Sequence, residues 1–390
     1  MPPATKSSST IGWMGIKRGH RARPFEWLVE KGIWLVSMSA IVLVGLIFIF
    51  IGRESLPIFL GTEDSSHSFK VIKPEAAVST SPEELAAYLE MTPKEIAELD
   101  AATLKLLLEV KAEAASSAPT DKDASIDTTS WRYLLKPHQW TGYDKPEYIW
   151  QPIGEIHKYN IVPLIVGSLK VTVVGLAFAV PLALLAAIYV SQLASPRTKE
   201  WLKPGIELLS GIPSVVIGTF ALLALATLLQ SLFGYQTRLN ALVAGIALGI
   251  SVIPLVFSIA EDALTSVPRS YTQAALALGA SKWQAAWQIV LPAAVPGVFS
   301  AVALGFGRAI GETMIVLMVT SASVMSWSVF DGARSITATI AAEMAEAVAG
   351  GHHYRMLFML GALLFVVTFI TNMVADIVIH RLKARLEGKA

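Results

Sequence analysis

Gln273-Ala274-Ala275-Leu276-Ala277-Leu278-Gly279-Ala280-Ser281-Lys282-Trp283-Gln284-Ala285-Ala286-Trp287-Gln288-Ile289-Val290-Leu291-Pro292 is the most patterned segment of this 390-residue chain. It predicts two short helices joined by a glycine elbow. Ser270 with Gln273 forms one capping-box pattern, and Ser281 with Gln284 forms a second. Gly279 falls between them, where a helix C-terminus commonly needs a residue with positive φ. Ala274 and Ala275 leave a smooth face that a partner can approach closely, and Pro292 is expected to break this connector from the apolar run behind it.

Outward from this segment the chain is apolar. Hydrophobic residues make up 54% of the sequence and charged residues 16%, and the mean hydropathy is +0.56. A soluble domain carries about 25% charged residues, so the deficit points to lipid. A net charge of +1 argues against a nucleic-acid partner. No cysteine is present, which excludes disulfides, thiolate metal sites and a thiol nucleophile. A helix crosses the roughly 30 Å hydrocarbon core with about 20 apolar residues. Six stretches meet that requirement, at about 33–52, 162–190, 206–233, 240–260, 292–320 and 356–378. Some of them contain Pro or Gly, at Pro181, Gly211, Pro213 and Pro254, which a helix bundle tolerates where neighbours satisfy the freed backbone. The first run lacks a small-residue cleavage site and reads as a retained anchor rather than a signal peptide.

Cations set the expected direction. Lys6, Lys17, Arg18, Arg21, Arg23 and Lys31 precede the first run and place the N-terminus in the cytoplasm. Six crossings then return the C-terminus, with Arg381, Lys383, Arg385 and Lys389, to the same side, along with 191–205 (Arg197, Lys199, Lys203) and 261–291. The expected organisation is a cytoplasmic segment 1–32, a first transmembrane helix 33–53, an extracytoplasmic insertion 54–160, a transmembrane domain 161–380 and a cytoplasmic tail 381–390. The insertion holds 18 acidic and 10 basic side chains. In it, Ser81-Pro82-Glu83-Glu84 and Thr92-Pro93-Lys94-Glu95 are capping boxes with Pro at the first helical position, so 80–114 reads as a small helical hairpin, with a poorly ordered insertion without function as the alternative, and 116–130 as a flexible linker.

Charges inside the apolar runs carry the functional reading. Arg308 and Glu312 would each cost about 2.5–3.5 kcal/mol at mid-membrane, so neither is expected to face lipid. Their spacing predicts one shared helix face, thinned by Gly305, Gly307 and Gly311. Arg before Glu is the weaker order for an i,i+4 pair, which disfavours a purely structural ion pair. Arg308 has the planar paired donors that suit an oxyanion. Glu312, when ionised, is expected to accept the hydrogen bond of a protonated phosphate oxygen, a bond that sulfate cannot offer near neutral pH. Lys170, near the outer end of the second run, is expected to snorkel to the interface, with a role in drawing an anion inward as the alternative; Ser168 and Thr172 share its neighbourhood. His352 and His353 are expected to be interfacial, and Asp376 structural. No phosphate-binding G-x-x-x-x-G-K-[ST] loop occurs.

Gln273-Ala274-Ala275, Gly279, Ile289, Leu291 and Pro292 resemble the docking loop of ABC importer permeases, Glu-Ala-Ala-x₃-Gly-x₉-Ile-x-Leu-Pro, at six of seven specified positions. The departure is Gln273 in place of Glu. The resemblance implies an all-α integral membrane permease of six transmembrane helices whose loop seats on a separate ATPase. Arg308-x-x-Gly311-Glu312-Thr313, followed by Met314-Ile315-Val316, is similar to the phosphate permeases of the PstC type. So are Gly167–Thr172, Gly211-Ile212-Pro213-Ser214 and the segment 336–351 with Glu343 and Glu346. The likeness spans about 160–380 and the first run, and leaves 54–160 unexplained. It implies a phosphate pathway through Arg308, Glu312, Thr313, Ser168, Lys170 and Thr172. The partners it implies are a PstA-like second permease, a PstB-like ATPase dimer and a PstS-like periplasmic phosphate-binding protein. It also implies no cofactor or metal in this chain, with ATP and magnesium on the ATPase. A permease for molybdate, sulfate or phosphonate, a permease-like phosphate-sensing scaffold, and an ion-coupled secondary transporter stand as the alternatives.

Overall fold

The structure, a computed structural model, describes residues 24–61, 126–154, 156–320 and 325–386. Between 62 and 125 it describes only 85, 89, 91, 92, 96, 99, 100, 102–108 and 110. The chain divides into two compact units at Phe50/Ile51. The helix α1 (Pro24–Phe59) begins in the first and ends in the second. In chain order there follow α2 (Trp131–Leu135) and an antiparallel hairpin, β1 (Trp150–Gln151) with β2 (Lys158–Tyr159). Then come α3 (Val162–Leu193), α4 (Pro196–Leu208), α5 (Ser214–Phe233), α6 (Ala241–Thr265) and α7 (Arg269–Ala277). The chain continues with α8 (Lys282–Gly311), α9 (Met314–Val319), α10 (Ile336–Glu343) and α11 (His352–Leu386).

Six helices among the described residues are long and apolar enough to cross a membrane: Val29–Phe59, α3, α5, α6, α8 and most of α11. Two of the expected boundaries move. The third span starts at Ser214 and not near residue 206, because residues 196–208 form a separate helix, followed by a tight turn at 209–211 and Pro213. The fifth runs over Lys282–Gly311 and not 292–320. Pro292 does not interrupt it: the backbone widens to a π-turn over Ala286–Val290, and the missing proline N–H is absorbed there.

Small residues let α3 and α6 touch backbone to backbone. A Cβ on Gly245 would lie 2.4 Å from Val174, and one on Gly249 would lie 2.8 Å from the Gly175 carbonyl. In lipid, where apolar burial does not drive helices together, such close contact supplies the packing. The main core joins Val171, Ala179 and Ile188 of α3 to Leu248, Val252 and Phe257 of α6, with Ala294 and Ala301 of α8 and Ile315 and Val319 of α9. A second core gathers Ile58, Leu134, Trp150, Tyr159, Ile161, Leu164, Ile336, Met356 and Leu360. It seats α2 and the hairpin on the start of α3, on α10 and on α11, and this is the hairpin end of the bundle. The loop end carries α4 and α7.

In the insertion, residues 85, 89, 96 and 102–108 are helical, and Leu85, Ile96 and Leu108 are buried against Leu89, Met91 and Leu104. Residues 81–84 and 93–95 of the two capping boxes lie outside the described residues. The last part of the expected linker, 126–130, is folded: Asp127 Oδ1 accepts from both the amide and the hydroxyl of Thr129, and Thr128 and Thr129 are buried.

Candidate functional site

The α7–α8 connection forms much as its sequence dictates. Gly279 has φ +87°, in the left-handed region that ends a helix without steric penalty. The Ser281 box closes both ways, with Gln284 N–H donating to Ser281 Oγ at 3.2 Å and Ser281 N–H to Gln284 Oε1 at 2.8 Å. The expected Ser270 box does not form. Pro268 is the N-cap residue, so Ser270 and Gln273 lie within the helix. Gln273, Ala274, Gly279, Ile289 and Pro292 are exposed, Ala275 is buried and Leu291 is half-buried. Around them Tyr271, Leu278 and the stacked pair Trp283 and Trp287 also stand exposed, Leu278 at 89%.

At the other charged stretch, α8 ends at Gly311, and Glu312 is extended, with φ −70° and ψ 131°. Arg308 and Glu312 therefore do not share a helix face, contrary to the spacing argument. Arg308 sits in the last turn of α8, where the helix C-terminus favours a cation. Its side chain is exposed, and that of Glu312 is half-buried. Among the described residues no ion pair joins them. The break is held from α10: Thr337 Oγ1 donates to the Glu312 carbonyl at 2.9 Å. Thr313 precedes α9 and its carbonyl accepts from Leu317 N–H. A Cβ on Gly311 would meet nothing within 4 Å, so the break is flanked by open space.

The other predicted residues line up behind this break. Ser168 is buried; its hydroxyl donates to the Leu164 carbonyl at 2.8 Å and accepts from Ile336 N–H at 2.9 Å. Thr172, 1% exposed, lies one turn further along α3. Lys170 does not extend freely to an interface. Its ammonium donates to the carbonyls of Ser326 and Ser328, both at 2.9 Å, pinning that segment.

Two polar clusters had no clear signal in the sequence. At the hairpin end Glu343 is buried and bound by three partners. Arg334 Nη2 lies 2.9 Å from Oε1, Trp150 Nε1 donates at 3.0 Å to Oε2, and His353 Nε2 lies 3.5 Å from Oε2. His353 is thus not merely interfacial, and Tyr159 stacks on it at 6.0 Å. Burial pushes the Glu343 carboxyl above the usual carboxylate range, and the Arg334 charge works against that rise. At the loop end Glu261, 1% exposed, receives Lys199 Nζ at 2.6 Å, Lys203 Nζ at 2.7 Å and Thr265 Oγ1 at 3.0 Å. The sequence places 261 in a loop, but α6 runs on to Thr265. The hydrogen bond that Lys203 donates to Glu261 raises the Lys203 ammonium pKa.

The family described as "Binding-protein-dependent transport system inner membrane component" matches residues 179–386. The probable ABC transporter permease protein YqgH of Bacillus subtilis is 36% identical over 222 residues, covering 57% of this chain and 72% of that protein. The phosphate transport system permease protein PstC of Mesorhizobium japonicum is 33% identical over 256 residues, covering 60% and 77%. PstC 1 of Mycobacterium tuberculosis is 30% identical over 253 residues, covering 59% and 74%. A chain of the MetNI methionine ABC transporter, in a structure described as inward facing, aligns with a TM-score of 0.45 at 17% identity, over 57% of this chain and 95% of that one.

Proposed function

This chain belongs to the binding-protein-dependent transport system inner membrane components, and on that premise we infer that it conducts phosphate as one permease subunit of an ATP-driven importer. Membership makes it a multi-pass inner-membrane ABC permease and not itself an enzyme. The phosphate reading rests above all on Arg308. An exposed guanidinium at the end of an apolar helix, with no ion-pair partner among the described residues, supports the reading of a polar pathway beside it. The PstC relatives supply the choice of anion.

In this reading the broken end of α8 is the contact point. Arg308 donates paired N–H groups to two phosphate oxygens, and the helix C-terminus offsets part of its charge. Glu312, freed from the helix, accepts a hydrogen bond from the protonated phosphate oxygen, so a fully deprotonated sulfate meets repulsion. Thr313 adds a hydroxyl. Ser168, Thr172 and Lys170 act behind them: Ser168 seats α10, whose Thr337 holds the Glu312 carbonyl, and Lys170 fixes the segment at 326–328. The exposed α7–α8 face, with Gln273, Ala274, Ala275, Gly279, Ile289, Leu291 and Pro292, seats on an ATPase dimer that holds the ATP and magnesium. A PstA-like permease completes the pathway, and a PstS-like protein delivers phosphate at the hairpin end. The loop end and both termini are cytoplasmic, as the cation distribution requires.

The test is uptake by the reconstituted complex. Arg308→Ala is expected to abolish phosphate uptake, and Glu312→Gln to erode the preference for phosphate over competing sulfate. Wild-type uptake and wild-type discrimination in both variants would refute the reading. Competition by molybdate or phosphonate stronger than that by phosphate would reassign the substrate.

A further inference from the structure

The helix α4 is turned the opposite way from a helix that faces water. Lys199, Lys203 and Glu207 recur every four residues and form one stripe. That charged stripe faces α6, where Lys199 and Lys203 meet Glu261, Lys203 also reaches Asp262 Oδ1 at 3.3 Å, and Glu207 Oε1 accepts from Ser258 Oγ at 3.0 Å. Trp201 and Leu208, 83% and 75% exposed, look away from these charges. Ser195 caps the helix through the Thr198 amide, and Gln192 just before it donates to the Leu264 carbonyl at 3.3 Å. Four polar side chains of this segment are thus bonded to the last two turns of α6.

Those two turns are one short step from the docking loop. Ser266, Val267 and Pro268 alone separate α6 from α7, and Val267 is packed on the main core. At its other end α4 passes through the turn 209–211 into α5. The contact therefore lies between the loop that a partner would push and a membrane span that is not its neighbour in sequence. Buried ion pairs are weak evidence for stability, since apolar replacements of similar volume are often neutral. A carboxylate 1% exposed with two ammoniums and a hydroxyl on it is more readily explained by a need to fix geometry.

We propose that Lys199, Lys203 and Glu261 form a positioning strut that locks α4 to the base of α6, so that displacement of the α7–α8 loop is delivered to α5 in the same stroke. The strut stays closed through the cycle and touches neither substrate nor nucleotide. Without it, ATP hydrolysis continues while the permease fails to follow. This rests on the reading of α7–α8 as the ATPase docking loop.

The experiment uses the full complex in proteoliposomes and measures phosphate uptake per ATP hydrolysed. Glu261→Gln is expected to co-purify with the ATPase, retain hydrolysis and lose about tenfold in uptake per ATP, a coupling loss in the usual range. A ratio within about twofold of wild type, in a complex that co-purifies normally, overturns the strut. Lys203→Gln keeps Lys199 in place and is expected to give an intermediate ratio, so the proposal stays testable if Glu261→Gln does not assemble; a wild-type ratio in Lys203→Gln would then overturn it. Because the chain contains no cysteine, Lys203→Cys with Asp262→Cys can be cross-linked selectively. Measured against the same double-cysteine complex kept reduced, whose uptake is already lowered by the loss of Lys203, uptake that survives the cross-link supports a strut that remains closed, and uptake lost on cross-linking and recovered with reductant overturns it. If the wild-type chain does not co-purify with an ATPase, the docking reading fails first, and the two failures are distinguished.

Discussion

Gly167→Ala tests whether the candidate pathway is held in place by backbone packing. A Cβ at this position would lie 2.3 Å from the Arg334 carbonyl oxygen and 3.1 Å from its carbon and amide nitrogen. Carbon–oxygen contacts relax to about 3.3 Å, so the chain at 334–337 must retreat by about 1 Å. That segment is backbone on both sides and cannot rotate a side chain out of the way. The next residue, Ser168, holds Ile336 N–H at 2.9 Å, and a retreat of about 1 Å would take that bond beyond useful length. Overpacking costs about 1–3 kcal/mol and a lost hydrogen bond about 0.5–1.5 kcal/mol, so the local penalty is about 2–4 kcal/mol. Since Thr337 of the same helix holds the Glu312 carbonyl, the break beside Arg308 loosens with it. Amide hydrogen exchange in the purified complex is the direct assay. Protection over residues 334–344 is expected to fall about 30- to 1,000-fold, following the local opening energy, and phosphate uptake to fall with it. Gly45→Ala is the control, because a methyl group there meets nothing within 4 Å and the residue lies outside the candidate pathway. Unchanged exchange and unchanged uptake in Gly167→Ala would refute the account of how the site is held.

Trp150→Phe removes the indole donor to buried Glu343 and is expected to weaken hairpin docking by about 1.5–3 kcal/mol, read as faster proteolysis within 136–160. Burial raises the Glu343 pKa in the folded protein. Its stabilising contribution is therefore complete below the unfolded value near 4.5 and is lost as pH rises through the folded one. Hairpin protection should be higher at pH 5 than at pH 8, and Glu343→Gln should remove the carboxyl's share of that dependence. Ser281→Ala opens the one complete capping box of the docking loop and is expected to cost about 1 kcal/mol locally, read as increased exchange at 282–286 with the span itself unaffected.

The sequence makes the spans legible because lipid imposes a demand on length and apolarity that tertiary packing does not override. The glycine elbow and the Ser281 box are equally visible, since both are satisfied by residues within a few positions of one another. Reading fails where the backbone leaves its regular period or the deciding partner is distant. Pro292 promises a break, but a π-turn at 286–290 absorbs it. Glu312 promises a helix face, but the helix ends one residue earlier and Thr337 holds the break from 25 positions away. Glu261 reads as part of a loop because its two lysines lie 58 and 62 positions upstream. The segment 54–160 gives least, because Trp150 and Glu343, 193 positions apart, meet only once α3 and α10 are packed.

The charges of the transmembrane region share one physical solution that bears on which of them is free to act. Lys170 spends its ammonium on two carbonyls of a nearby loop, Glu261 receives two ammoniums at the base of α6, and Glu343 is paired at the end of α10. Each is neutralised or hydrogen-bonded within the chain, as a low-dielectric setting demands. Arg308 has no such partner among the described residues and is exposed. A passing anion and a second permease are the two candidates for meeting that demand. The two are separable. A partner's carboxylate would keep Arg308 paired throughout and make Arg308→Ala an assembly defect. A passing anion would leave assembly intact and remove uptake alone, which is the outcome expected here.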